Sequence, residues 1–122
     1  MIVLDEHLGL GQMVAEIAEW YPGAVLNIKD FRPHKRILDP QISTLLLEVR
    51  QPTFVTINYD DFWRIIKPHP RYCVLCLKLP SDRTLEIPAI VREILSRQEF
   101  ATKAKRMGYV ISWRNHLVDF YS

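Results

Sequence analysis

Acidic residues adjoin the apolar stretches of this chain at three distant places. Asp5 and Glu6 close the run Ile2-Val3-Leu4. Asp39 stands directly before a helix-starting pattern, and Asp60 and Asp61 follow Thr53-Phe54-Val55-Thr56-Ile57. If the runs are parallel strands, the acids gather on one edge of a sheet, where they repel one another unless a cation neutralises them. Carboxylate oxygens of this kind suit a hard divalent ion, Mg²⁺ or Mn²⁺. Such an ion acidifies water and stabilises charge on a phosphodiester oxygen, so the expected chemistry is metal-dependent hydrolysis. No Ser or Cys nucleophile is needed for it.

Each acid also has a plain structural use. Asp39 before Pro40 has the makings of an N-cap, and one of Asp60 and Asp61 is expected to cap a short helix. Glu6 is read as pointing away from the cleft. Asp5 resists such an account, because an acid ending an apolar strand gains nothing there without a partner.

The loop Lys29-Asp30-Phe31-Arg32-Pro33-His34-Lys35-Arg36 sets basic residues just before Asp39. Lys29, Arg32, His34, Lys35 and Arg36 are therefore expected to flank the cleft and meet backbone phosphates, with Phe31 free to stack on a base. A second cluster, Lys103, Lys105 and Arg106, ends the last helical stretch, where the helix dipole alone favours cations. Cys73 and Cys76 have C-x-x-C spacing but sit in an apolar strand pattern. Residues three apart on a strand point to opposite faces, so the thiols are read as core. His7, His34, His69 and His116 lack ligand spacing, and Gly9-x-Gly11 is too weak a signal for a phosphate loop.

The elements that must position these groups can be read from periodicity. Residues 2 to 4, 24 to 28, 53 to 57 and 72 to 77 read as strands. Leu10, Met13, Val14, Ile17 and Ala18 repeat at helical spacing, as do Ile42, Leu45, Leu46 and Val49. Pro22-Gly23 and Pro52 bound those helices. A further helical pattern runs from Ile87 through Phe100 and Ala104 to Gly108. The tail alternates over 109 to 113 and 117 to 121, which predicts a terminal β-hairpin, although no Asn-Gly signal marks its turn. Strands alternating with helices imply a three-layer α/β/α sandwich with a mainly parallel central sheet.

With 122 residues, 48% of them hydrophobic and 25% charged, the chain reads as one globular domain over 1–122. Its apolar stretches are too short to span a bilayer, and no leader precedes Ile2, so a cytoplasmic protein without membrane contact is expected. The formal charge of +2 does not by itself indicate a nucleic-acid partner.

Three segments carry a family resemblance. Leu4-Asp5-Glu6-His7-Leu8 looks like the Leu-Asp-Glu-Asn-Leu opening of small PIN-like toxin and Mut7-C-like proteins. Leu38-Asp39-Pro40-Gln41-Ile42 is similar to that family's Ser-Asp-x-x-Ile, and Val55-Thr56-Ile57-Asn58-Tyr59-Asp60-Asp61-Phe62 resembles its Val-Thr-x-Asp-x-Asp-Phe. Their order and spacing agree over about the first 100 residues. The resemblance implies a PIN-like fold and a Mg²⁺- or Mn²⁺-dependent ribonuclease, many relatives being toxins held by a cognate antitoxin. It puts Asp5 and Asp39 in the first two acidic positions and Asn58 in the third. The fourth falls on Asp60 by distance from Thr56, or on Asp61 by adjacency to Phe62. Asn58 is a departure, since an amide oxygen can ligate a metal but brings no negative charge. The alternative is thus a PIN-like interaction domain of weak or absent activity.

A phosphoacceptor receiver domain is the rival α/β reading, but it needs an Asp ending the third strand, where Thr56-Ile57 stand. The alternating tail offers a sheet edge for a homodimer or an antitoxin segment.

Overall fold

The structure, a computed structural model, describes residues 1–8, 11–33 and 37–122. A strand covered on both faces needs a side chain compatible with burial at every position. Three segments meet that demand throughout: β1 (Ile2–Leu4), β3 (Thr53–Thr56) and β4 (Cys73–Leu77) are buried at each residue. β2 (Val25–Asn27) is half-buried at one edge of the sheet. β5 (Val110–Arg114) and β6 (Leu117–Tyr121) complete it, in the order β2-β1-β3-β4-β5-β6. β2, β1, β3, β4 and β5 run parallel, and β6 pairs antiparallel with β5 through Asn115 and His116. Both of those joining residues have positive φ, 48° and 65°, which suits a tight two-residue turn.

Helices cover both faces. On one, Met13 and Ile17 of α1 (Gly11–Ala18) and Ile90, Val91 and Ile94 of α4 (Ile87–Leu95) pack on Ile2, Leu4, Leu75 and Ile111. On the other, Ile42, Leu45 and Leu46 of α2 (Asp39–Leu46) join Phe62 of α3 (Tyr59–Phe62) over Val3, Phe54, Val74 and Val110. The chain is an α/β protein with a mainly parallel sheet, compatible with three layers. Cys73 and Cys76 fall into opposite clusters, and burial pushes both thiols up to about 12, as core residues rather than ligands. Among the described residues, no helix is long and apolar enough to cross a membrane.

Two helices are shorter than their periodicity suggests. The stretch from Ile87 toward Gly108 breaks after Leu95 into a 3-10 turn (Gln98–Phe100) and a short α5 (Lys103–Arg106). Ser96 Oγ donates to the Arg92 carbonyl at 2.6 Å and takes up a helix-end acceptor, while the Thr102 side chain starts α5 by accepting from the Lys105 N–H. The break lets Phe100 turn fully into the core. α2 likewise stops at Leu46, short of Val49.

Candidate functional site

The strand order reverses between β1 and β3, so the cleft of an open parallel sheet opens beyond the carboxyl ends of these two strands. Leu4 pairs with Val55, which sets the next residues, Asp5 and Thr56, side by side. Asp5 is 7% exposed, and both of its carboxylate oxygens accept hydrogen bonds. Its N–H donates to the Val55 carbonyl at 2.9 Å, and Thr56 Oγ1 donates to Asp5 Oδ2 at 2.7 Å. The Glu6 N–H donates to Asp5 Oδ1 at 2.8 Å. From the other side, Asn27 at the end of β2 donates through Nδ2 to the Asp5 carbonyl at 3.0 Å. Partners of this kind are what make a buried carboxylate tolerable.

The network continues outward. The Asn58 N–H donates to Thr56 Oγ1 at 3.0 Å, and Asn58 Nδ2 reaches Asp39 Oδ2 at 3.4 Å. Asp39 is not the cap that its place before Pro40 suggests. Leu38 has the extended cap conformation, its N–H donating to Gln41 Oε1 at 2.9 Å, and Asp39 is the first helical residue. Its carboxylate is left free to face the cleft. Asp60 and Asp61 are likewise within α3 rather than before it, since Asn58 occupies the cap position without a side-chain capping bond.

Asp39 shows how closely the acids gather. Its carboxyl is held above the usual carboxylate range by loss of hydration, then by the charges of Asp61, Asp5 and Glu6, and by a hydrogen bond to Asp61. Asp39 as a residue is exposed, so the neighbouring charges bear more on function than its burial does. Carboxylates gathered in this way repel one another unless a proton or a cation relieves them. Asp5, Asp39, Asn58 and Asp61 are thus brought together. Glu6, read from sequence as turned away, acts on Asp39 as well. Asp60 is not among the groups acting on Asp39. It is exposed and lines a cavity of about 330 Å³ with Asn58, Tyr59 and Lys78.

A divalent ion fits this donor set by chemistry. Carboxylate and amide oxygens are its preferred partners, and Mg²⁺ is commonly held by one or two carboxylates with water completing the shell. Among the described residues, no three His, Cys, Asp or Glu side chains converge as a closed ligand group. Asp39 and Asp61 would hold such an ion, near the buried Asp5. A half-turn of the Asn58 amide would add its oxygen.

The basic loop behaves differently from its sequence reading. Arg32 is committed to Glu48, its Nη2 donating to both carboxylate oxygens at 2.8 and 2.9 Å. Phe31 packs against the core instead of standing free to stack. Lys29 is exposed beside the end of β2, while His34, Lys35 and Arg36 lie outside the described residues. Arg106 is buried rather than displayed at a helix end. Three contributors escaped the sequence reading. Thr56 and Asn27 look like ordinary strand residues there, and Lys78 carries no motif. The polar ends of two otherwise apolar strands were the available signal for Thr56 and Asn27. Thr56 also occupies the place a receiver domain would need for its acceptor Asp, and its hydroxyl is engaged with Asp5.

No family model matches the chain, and no curated protein or solved structure matches it either.

Proposed function

We propose that the chain is a PIN-like domain with a C-terminal β-hairpin, acting as a Mg²⁺- or Mn²⁺-dependent ribonuclease and the toxin of a toxin-antitoxin pair. The observation that carries this reading is the nearness of Asp61, Asp5 and Glu6 to Asp39 at the strand-order reversal, where their charges add to loss of hydration in raising the Asp39 carboxyl. A divalent ion held there would supply Lewis acidity toward a phosphodiester oxygen and an acidified water. The chain's own part is positioning. Thr56 and the Glu6 N–H hold the Asp5 carboxylate in one orientation, so it cannot turn aside when a substrate approaches. Lys78, which lines the adjoining cavity, and the exposed Lys29 would meet RNA phosphates under this reading. A cytoplasmic setting belongs to the same reading.

A second reading has one specific observation behind it. Asn58 stands where the family pattern has an acid, and its amide nitrogen, a donor, faces Asp39. That arrangement suits a PIN-like interaction domain of weak or absent activity.

Cleavage of a structured RNA in Mn²⁺ separates the two. Under the nuclease reading, the wild type cuts, EDTA stops it, and Asp61→Asn lowers the rate about 100-fold or more while Asp60→Asn costs far less. Equal loss in both variants would contradict the assignment of Asp61. A folded wild type that leaves RNA intact favours the interaction domain.

A further inference from the structure

The opposite edge of the sheet carries a second polar feature, and it is basic. A cavity of about 460 Å³ opens there, with Trp20, Tyr21, Arg92, Lys103 and Arg106 among its lining residues. It lies at the amino ends of the strands. Arg106 Nε donates at 2.8 Å to Thr53 Oγ1, and Thr53 is the first residue of β3.

Arg106 is only 2% exposed, a rare position for a guanidinium without a carboxylate beside it. Its Nη1 donates to the Phe100 carbonyl at 3.2 Å. Nη2 has no hydrogen-bond partner among the described residues, and no fully buried side-chain nitrogen is left unpartnered, so Nη2 is the group that meets the cavity. No Asp or Glu lines the cavity. None of the ion pairs among the described residues includes Arg92, Lys103 or Arg106.

The uncompensated charge is felt nearby. The Met1 amino group, donating to the Tyr21 hydroxyl at 2.8 Å, is pushed down to about 6 by burial and then by Lys103 and Arg106. Arg92 rests over the Trp20 ring, 5.8 Å from its centroid, and offers the cavity a third cation. As a mere brace between α5 and β3, Arg106 would need neither Lys103 nor Arg92. A neutral donor would also do that work without burying a charge.

We infer that this cavity binds a small organic phosphate, its phosphate group seated on Arg106, Lys103 and Arg92 and its carbon part against Trp20 and Leu95. The unpartnered Nη2 of a guanidinium, flanked by two further cations, suits a phosphate oxygen by hydrogen bonding and by charge. The volume falls in the range of small-molecule sites, and a mononucleotide is of that size class. The site is separate from the carboxylate cleft and stands without it.

Calorimetry in EDTA, with inorganic phosphate, adenosine 5′-monophosphate and adenosine as probes, tests it without involving the acidic cluster. Phosphate and the monophosphate should both bind, the monophosphate about tenfold tighter or more, and adenosine should not. Arg92→Gln combined with Lys103→Gln, two exposed positions, should weaken phosphate binding at least about tenfold in a chain of unchanged thermal stability. Arg106→Met is the second variant and should abolish binding wherever it folds. Silence with both anions up to about 10 mM, or binding that survives the double substitution, would overturn the proposal. Equal affinity for the two anions would overturn the role given to the apolar wall.

Discussion

Asp39 is where a carboxylate's cost to the fold and the role proposed for it meet. Its carboxyl titrates above its ordinary value, so the native chain takes up that proton before the unfolded chain does. Its contribution to stability is therefore full below the ordinary value and is lost as pH rises through the raised one. At neutral pH without divalent ions, Asp39→Asn should stabilise the protein by about 0.5 kcal/mol, the scale of exposed charge interactions. The gain should shrink as pH falls through the carboxylate range, read from urea unfolding at several pH values. A destabilised Asp39→Asn would mean that Asp39 is tied to a partner rather than repelled. Asp5 differs in kind, being buried with its bonds filled, so its substitution confounds folding with function. Sequence alone singles out Asp5, Asp39 and the Asp60/Asp61 pair, because an acid beside an apolar run is conspicuous. It does not separate Asp60 from Asp61, since adjacent helical residues differ by about 100° around the axis and only packing fixes which one faces the cleft.

At the scale of elements, the strands were legible because burial on both faces leaves continuous apolar text, as in β4. Helix ends were less so. The periodicity of Ile87, Ile90, Val91 and Ile94 runs on into Phe100 and Ala104, yet Ser96 and Thr102 break it by competing for backbone groups. Such competition is local hydrogen-bond chemistry, which a hydrophobic period does not record. The cysteines of β4 show the opposite case, where a tempting spacing is overruled by the period of a strand. Both thiols should resist a thiol reagent in the native protein and react at the rate of unfolding or in urea, since burial pushes each up to about 12. Rapid native labelling of either would contradict the placement of β4 in the core.

Taken whole, the molecule sets opposite charges at opposite edges of one sheet. Carboxylates collect beyond the carboxyl ends of β1 and β3, and Arg106 lies under their amino ends beside Thr53. The acidic edge follows from the sequence once the strands are taken as parallel, because each acid lies next to a recognisable element. The basic pocket does not, since Trp20, Arg92 and Arg106 are far apart in the chain and meet only after α1, α4 and α5 are packed. Under the proposed function the acidic edge holds a divalent ion. Mn²⁺ titration by calorimetry on the wild type and on Asp39→Asn tests it most directly, the variant being chosen at an exposed position that leaves the fold intact. Binding in the wild type, weakened about tenfold or more in the variant, is the predicted result. A well-folded wild type that takes up no Mn²⁺, or an Asp39→Asn chain that binds it as tightly, would contradict the account.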